Sequence, residues 1–368
     1  MRRRDSMSLL GNGGGRAGQQ VFDRLMTVPG LYDGLHFAQL RTGGRVARLA
    51  ERLAARPAVP ALRAELRRDP ADLVLSVFAT GALAAARLRE QQPAAGGPRF
   101  RAVVYCPDVT AHKLWVHEGT DLFLVSSPAA AASVRRFLPR APVALVPPPV
   151  RAAFYDAPAR AAARRQLGIP AAARCALLID SGWGFAPLAA AAAALADAGA
   201  DVLAVAGRNP RVERELRELA ATRPALRPFG FTDAVPALMA AADLVIALPG
   251  AATCAEARVV GRPLLLLDVM PGHGRDNLLH ELEQGGADVC GPSAADIARG
   301  ALAAFDRAVT RVSTESRAAP RWEPAFAEAL GELGLDISAG DADDGTGDHP
   351  DDDTDTDLTG ATACAPSS

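Results

Sequence analysis

Between Cys175 and Cys290 the chain repeats one pattern. Short, wholly apolar runs ("CALLID", "DVLAVAG", "ADLVIAL", "RPLLLLDV", "ADVC") alternate with stretches of helical period such as "NPRVERELRELAA", "VPALMAAA" and "GRDNLLHELEQGG". An apolar run without alternation is a strand covered on both faces, which is how a parallel sheet with helices on each side reads in sequence. The pattern predicts a doubly wound α/β domain. The alanine-rich "FAPLAAAAAALADAGADVLAVAG" fits as helix then strand, and its two aspartates argue against a membrane span.

Upstream, "DLVLSVF", "AVVYCP", "LFLVSS" and "VALVPPP" read as strands of a second domain of the same kind, and "MSLL" as the stub of an opening strand. Residues 43–69 read as one or two helices broken near Pro57 and Pro60. The stiff "VPPPV" cannot continue a sheet and makes a hinge near residue 150. The expected organisation is therefore an N-terminal domain over 1–150, a C-terminal domain over 151–315, a helix over 316–335 and a disordered acidic tail over 336–368. The fold class is α/β, with two doubly wound Rossmann-like domains.

Hydrophobic content of 49% and charged content of 22% suit a globular chain. Charge is distributed unevenly. Residues 1–150 hold 21 Arg and Lys against 11 Asp and Glu, whereas the segment after Leu335 holds ten aspartates and no Arg or Lys. A basic front half suits an anionic surface such as a membrane leaflet or a nucleic acid; arginine-rich composition, with Lys113 the one lysine, accounts for it equally. The D-x-D triplets of the tail read as composition rather than as a metal site. The five cysteines (106, 175, 254, 290, 364) show no metal spacing and imply a reducing compartment without disulfides. "MRRRDSMSLLGNGGG" has too short an apolar run for a signal peptide. A cytoplasmic protein is expected, peripheral on the inner face of a membrane if the basic surface is used.

In open α/β sheets the ligand sits off the carboxyl ends of the strands. Within "ADLVIALPGAATCAEARVVGRPLLLLDVMPGHGRDN" two such runs stop at Pro-Gly. The small residues Gly250, Ala251, Ala252 and Thr253 let a ligand approach the backbone, and the following helix directs free N–H groups at it, which suits a phosphate. Glu256, read as a first-turn residue, either stabilises the helix N-terminus or accepts hydrogen bonds from two neighbouring hydroxyls such as a ribose diol.

The same stretch, through Gly250, Thr253, Glu256, Gly261, Pro263, Pro271, Gly272 and Asn277, resembles the donor-binding half of the monogalactosyldiacylglycerol synthase group, within glycosyltransferase family twenty-eight. "PDVTAHKLWVHEGTDLFLVSS" is similar to the group's first-domain segment through Asp108, His112, Trp115, Gly119 and Asp121. "PPVRAAF", "DSGWG", "AGRN" and "FGFTD" add matches in the same order. The resemblance implies the GT-B architecture and a UDP-sugar donor, with no cofactor and no metal. It implies that Glu256 holds the ribose. Gly250 to Thr253, Arg151 and the loop Gly182, Trp183, Gly184 face the diphosphate, with Arg208 nearby. The backbone at Phe231 and Thr232 reads the uracil, and His273 and Asn277 lie near the donor sugar. The implied partners are a nucleotide sugar, a lipid-like acceptor and an anionic membrane surface, not a nucleic acid.

The N-terminus departs from the group. Its glycine loop carries a histidine, whereas "GNGGGRAG" has Arg16 there. Arginine stays charged near neutrality and cannot act as a base. Asp108, with His112, is then the expected base, and Gly13, Gly14, Gly15 and Arg16 contact the diphosphate or an anionic acceptor. The loop also matches G-x-G-x-x-G through Gly13, Gly15 and Gly18, but no strand ending in an acid follows at dinucleotide-binding spacing. The leading expectation is an inverting hexosyltransferase. The alternatives are a nucleotide-sugar epimerase or hydrolase of the same fold, and a nucleotide-sugar binder impaired in catalysis.

Overall fold

A computed structural model of the chain describes residues 2–11, 36–91, 100–179, 187–269, 272–310 and 319–335. The loop holding Gly13 to Arg16, the loop holding Gly182 to Gly184 and the acidic tail lie outside them, as does the side chain of His273.

The first domain is built on β1 (Leu73–Ser76), β2 (Arg101–Cys106), β3 (Leu122–Val125) and β4 (Val143–Leu145), all parallel and in that spatial order. Among the described residues its α-helices are α1 (Arg45–Arg68), α2 (Ala79–Glu90) and α3 (Pro128–Phe137). Alternate strand residues serve opposite layers. Val104, Cys106, Phe123 and Val125 pack with Ala82 of α2 and with Ala130, Ala131 and Val134 of α3. α1 lies outside α2, joined to it through Val59, Leu66, Ala85 and Leu88.

Two sequence expectations fail here. "MSLL" is not a strand stub: Ser6–Leu10 is a 3-10 helix. Asp5 caps it by accepting from the Met7 N–H at 2.9 Å, and Ser8 Oγ bonds the Asp5 carbonyl at 2.6 Å. Such short-range side-chain bonds favour a turn over a ladder. Nor is α1 broken at its prolines. Pro57 and Pro60 lie on its exposed face while Ala58 and Val59 point inward. The carbonyls of Leu53 and Arg56, deprived of donors by the prolines, are left to water, so the helix continues.

The second domain is entered through α4 (Ala152–Tyr155) and α5 (Arg160–Gln166). It then runs β5 (Cys175–Ile179), α6 (Leu188–Asp197), β6 (Asp201–Val205), α7 (Pro210–Ala220), β7 (Leu226–Phe229), α8 (Val235–Ala241), β8 (Leu244–Ala247), α9 (Ala251–Val260), β9 (Leu264–Leu267), α10 (His273–Gln284), β10 (Ala287–Cys290) and α11 (Ala294–Thr310). The sheet is parallel with spatial order β10-β9-β8-β5-β6-β7. Strand order therefore reverses between β5 and β8, and that reversal is the topological switch point. Both faces are covered: Leu265 and Leu267 join the layer of α6 and α11, and Leu264 and Leu266 join the layer of α8 and α9.

β7 was not legible as a strand because Pro228 interrupts it. It is an edge strand, paired to β6 alone. The Ala225 and Phe229 carbonyls bond β6, so the alternating backbone turns Pro228 outward, where no donor is needed.

At the amino end of this sheet Arg164, 1% exposed, bonds the carbonyls of Ala241, Pro170, Ala171 and Ala173 and the Asp243 carboxylate at 2.7 Å. Asp243 also accepts from the Cys175 N–H at 2.9 Å. The aspartate that opens β8 is thus an anchor at the end of the sheet opposite the switch-point crevice.

The chain returns to the first domain at its end. α12 (Trp322–Gly331) sets Ala329 and Leu330 against Val103, Tyr105, Leu122 and Leu124, covering the second face of the first sheet. Tyr155 Oη donates to the Pro320 carbonyl at 3.1 Å, and Arg321 stacks over the Tyr155 ring at 4.5 Å. Among the described residues no helix is long and apolar enough to cross a membrane.

Candidate functional site

Successive strands of the second sheet deliver the candidate residues to one edge. Arg208 follows β6, Phe231 and Thr232 follow β7, residues 250–256 follow β8, and residues 272–277 follow β9. This is the carboxyl edge, and the β8 connection stands at the switch point.

After β8 the chain turns sharply, the Gly250 N–H bonding the Leu248 carbonyl at 2.7 Å. Gly250 caps α9 with ordinary backbone angles. Open space lies where a Cβ would stand, so its lack of a side chain exposes the helix start. The first helical bond runs from the Cys254 N–H to the Gly250 carbonyl at 3.0 Å. The N–H groups of Ala251, Ala252 and Thr253 precede it and have no acceptor within the helix. They carry the positive end of the helix dipole.

Glu256 is the sixth residue of α9 and lies in its second turn; the first turn holds no acid. This corrects the first-turn reading. It also removes the helix-dipole explanation, because that effect fades within one turn. Glu256 is half-buried and makes no hydrogen bond or ion pair with a described residue. Burial pushes its carboxyl from an ordinary 4.5 up to about 7, against the opposing pull of Arg151. Arg151 itself caps α4, lies over the Phe154 ring at 5.2 Å and stands 3.8 Å from Asp233.

Arg208 stacks over Phe231 at 4.3 Å, and the ring remains 64% exposed. Thr232 Oγ1 accepts from the Ala234 N–H at 3.1 Å, shaping the loop into α8.

In the first domain Asp108 and His112 lie in the loop after β2, also at a carboxyl edge. The His112 ring tilts against Trp115, 6.2 Å between centroids. Asp108 and Asn277 meet across the domain boundary: Asn277 Nδ2 donates to Asp108 Oδ1 at 3.2 Å, and Asn277 Oδ1 accepts from the Val109 N–H at 3.1 Å. Beside them Asp276 accepts from Thr110 Oγ1 at 2.6 Å and from Arg41 at 3.0 Å. Sequence reasoning did not find Arg41, Thr110 or Asp276. Nothing in their local pattern marks them, and their pairings span more than 160 positions.

Among the described residues no group of His, Cys, Asp and Glu could hold a metal ion. Cys106, Cys175 and Cys254 are buried, their thiols pushed up by desolvation, which makes them packing residues.

Comparisons with known proteins agree with this layout. Residues 186–279 match the glycosyltransferase family 28 C-terminal domain. Monogalactosyldiacylglycerol synthase 1 of Arabidopsis thaliana is 30% identical over 188 residues, 48% of this chain and 35% of that protein. The processive diacylglycerol beta-glucosyltransferase of Bacillus pumilus is 25% identical over 186 residues, 50% of this chain and 48% of that protein. The matches thus span between a third and a half of these relatives' length. The structure of sucrose-phosphate synthase from Thermosynechococcus elongatus superposes with a TM-score of 0.53 at 16% identity, covering 77% of each chain. The second domain thus carries, over residues 186–279, a match to the glycosyltransferase family 28 C-terminal domain, in a chain of GT-B fold that is similar to the monogalactosyldiacylglycerol synthases.

Proposed function

We propose that the chain moves a hexosyl group from a UDP-sugar to the hydroxyl of a lipid-like acceptor, with inversion and without a metal. Glu256 is the observation that carries this reading. A half-buried carboxylate without a described partner is costly unless a ligand brings donors to it. A ribose diol brings two, and the adjacent N–H groups of Ala251 to Thr253 suit the diphosphate of the same molecule. Arg151 adds positive charge for the departing diphosphate, the part a metal would otherwise play.

Phe231 and Thr232 would face the uracil, with Gly182 to Gly184 and Arg208 toward the phosphates and His273 toward the sugar. Asp108, with His112 of the same loop, would take the acceptor's proton as its oxygen attacks the anomeric carbon, and UDP leaves from the opposite face. Gly13 to Arg16 would meet the diphosphate or an anionic acceptor.

The outer face of α1 supports a membrane-borne acceptor reached from the cytoplasm. Val46, Leu49 and Leu53 form an exposed stripe that Pro57 and Pro60 extend. Arg45, Arg48, Arg52 and Arg56 run beside it, all exposed. An apolar stripe edged by arginines suits a helix lying in an anionic lipid surface. The two relatives' names, a diacylglycerol galactolipid synthase and a diacylglycerol glucosyltransferase, fit an acceptor of that kind.

The test is UDP release from UDP-galactose and UDP-glucose, with and without diacylglycerol in anionic vesicles. Release that requires the lipid supports the proposal. Turnover without an acceptor favours an epimerase or hydrolase, and UDP binding without turnover favours an impaired binder. Failure to bind UDP at all overturns the donor assignment.

A further inference from the structure

We propose that Asp276 and Asn277 form a latch between the two domains, and that Asn277 is the positioning residue that aims Asp108 into the cleft. The proposal rests on the transferase reading above only for the role of Asp108; the latch stands on geometry.

Asn277 is 3% exposed, and both ends of its amide are used across the domain boundary. Its orientation is fixed by chemistry. Oδ1 faces the Val109 N–H and Nδ2 faces a carboxylate, so a flipped amide would set donor against donor and acceptor against acceptor. Asp276, one residue earlier, binds Thr110 and Arg41. Two consecutive residues of α10, at the junction of its first and second turns, therefore grip the consecutive residues 108, 109 and 110.

α10 begins at His273, directly after the loop that leaves β9 toward the nucleotide-binding edge. One element thus lines the donor side and holds the loop carrying the proposed base. The latch engages Asp108 through Oδ1 alone; Oδ2 accepts no hydrogen bond from a described residue, which leaves it for an acceptor hydroxyl. Joining the domains and orienting Asp108 are then a single event. This differs from contact with the donor sugar, the role that family resemblance implies for Asn277.

The groups around Asp108 keep the test clean. Cys106 and Tyr105 of β2 are held neutral by burial, Asp276 faces the same loop from across the boundary with Arg41 of the first domain bound to it, and His112, in the same loop, is common to wild type and both variants. Asn277→Asp keeps the size but sets a second carboxylate against Asp108, which raises the pH at which Asp108 ionises. Thr110→Val removes one bond of the latch without touching Asp108.

The experiment measures UDP affinity by calorimetry, the radius of gyration by small-angle scattering at pH 5 and pH 8, and the pH profile of transfer from UDP-galactose to diacylglycerol. For Asn277→Asp the expected result has three parts. UDP affinity stays within twofold of wild type. The radius of gyration grows at pH 8 relative to pH 5. The acid limb of kcat/KM moves to higher pH, with kcat reduced at least tenfold at pH 7. Thr110→Val should lower kcat by less than tenfold and leave the pH profile in place.

A raised KM for the UDP-sugar with an unmoved pH profile would return Asn277 to the donor sugar and overturn its positioning role. Unchanged scattering in Asn277→Asp would overturn the latch. Should wild type bind UDP yet transfer nothing, the transferase reading fails, while scattering still decides the latch.

Discussion

Replacing Glu256 by glutamine should stabilise the empty protein and weaken its hold on the donor. In the fold the carboxyl titrates at about 7 rather than 4.5. Between those values the folded chain binds more protons than the unfolded chain, so wild-type stability falls as pH rises from 4.5 to 7 and stays reduced above 7. A displacement of that size corresponds to about 3 kcal/mol, and the residual solvent access of a half-buried group lowers it to about 2 kcal/mol. Glutamine does not titrate. Glu256→Gln should therefore raise Tm by about 4–8 °C at pH 8 and by almost nothing at pH 4.5, read by differential scanning calorimetry. Equal gains at both pH values, or none at pH 8, would refute the claim that Glu256 is a desolvated carboxylate awaiting a ligand.

The same group should ionise when the donor arrives, because hydroxyls that donate to it favour the charged form. UDP binding at pH 6.5 should then release protons, seen in isothermal calorimetry as an apparent enthalpy that changes with the ionisation enthalpy of the buffer. Charge-assisted hydrogen bonds contribute about 1.5–3 kcal/mol, so Glu256→Ala should weaken UDP affinity roughly ten- to hundredfold. Intact affinity in a folded variant would leave the ribose assignment without support.

Asp108→Asn should lower kcat by about 10²–10⁴ with UDP affinity unchanged; wild-type turnover would show that the base lies elsewhere. Arg164→Ala leaves Asp243 charged and without its buried partner, and should cost about 3–5 kcal/mol in urea unfolding, far from the cleft and without effect on UDP affinity once folded. Chelators should leave transfer intact, and a strict requirement for added magnesium or manganese in the turnover assay would contradict neutralisation of the departing diphosphate by α9 and Arg151 alone. Leu49→Asp with Leu53→Asp should abolish sedimentation with anionic vesicles, and wild-type binding should weaken from 50 to 500 mM salt as screening grows; unaltered binding by the double variant would exclude α1 as the contact.

The second domain was legible because its strands are buried on both faces. Leu264 to Leu267 is a short apolar run, the length of a covered strand rather than of a helix, and the alternation with helices then dictates a parallel sheet. The position of Gly250 just past the end of β8 followed from the same pattern. Illegible features were those in which one local rule yielded to another. Pro228 sits within a strand because the strand is an edge. Pro57 and Pro60 sit within a helix because they face water. "MSLL" has apolar residues enough for a strand, but Asp5 and Ser8 satisfy the backbone locally.

The site divides along the same line. Motif spacing marks residues that share an element, and so it reached Gly250, Thr253 and Glu256 together. It could not distinguish a first-turn acid from a second-turn one, because that depends on where the helix begins, and α9 begins at Ala251. In the second turn Glu256 lies beyond the reach of the dipole that would have explained it, and desolvation, opposed by Arg151, is the dominant influence on its charge. Arg164 and Asp243 are bonded at the amino end of the second sheet, whereas Glu256, on the helix that starts at the switch point, makes no hydrogen bond or ion pair with a described residue; that contrast is what the ribose proposal rests on.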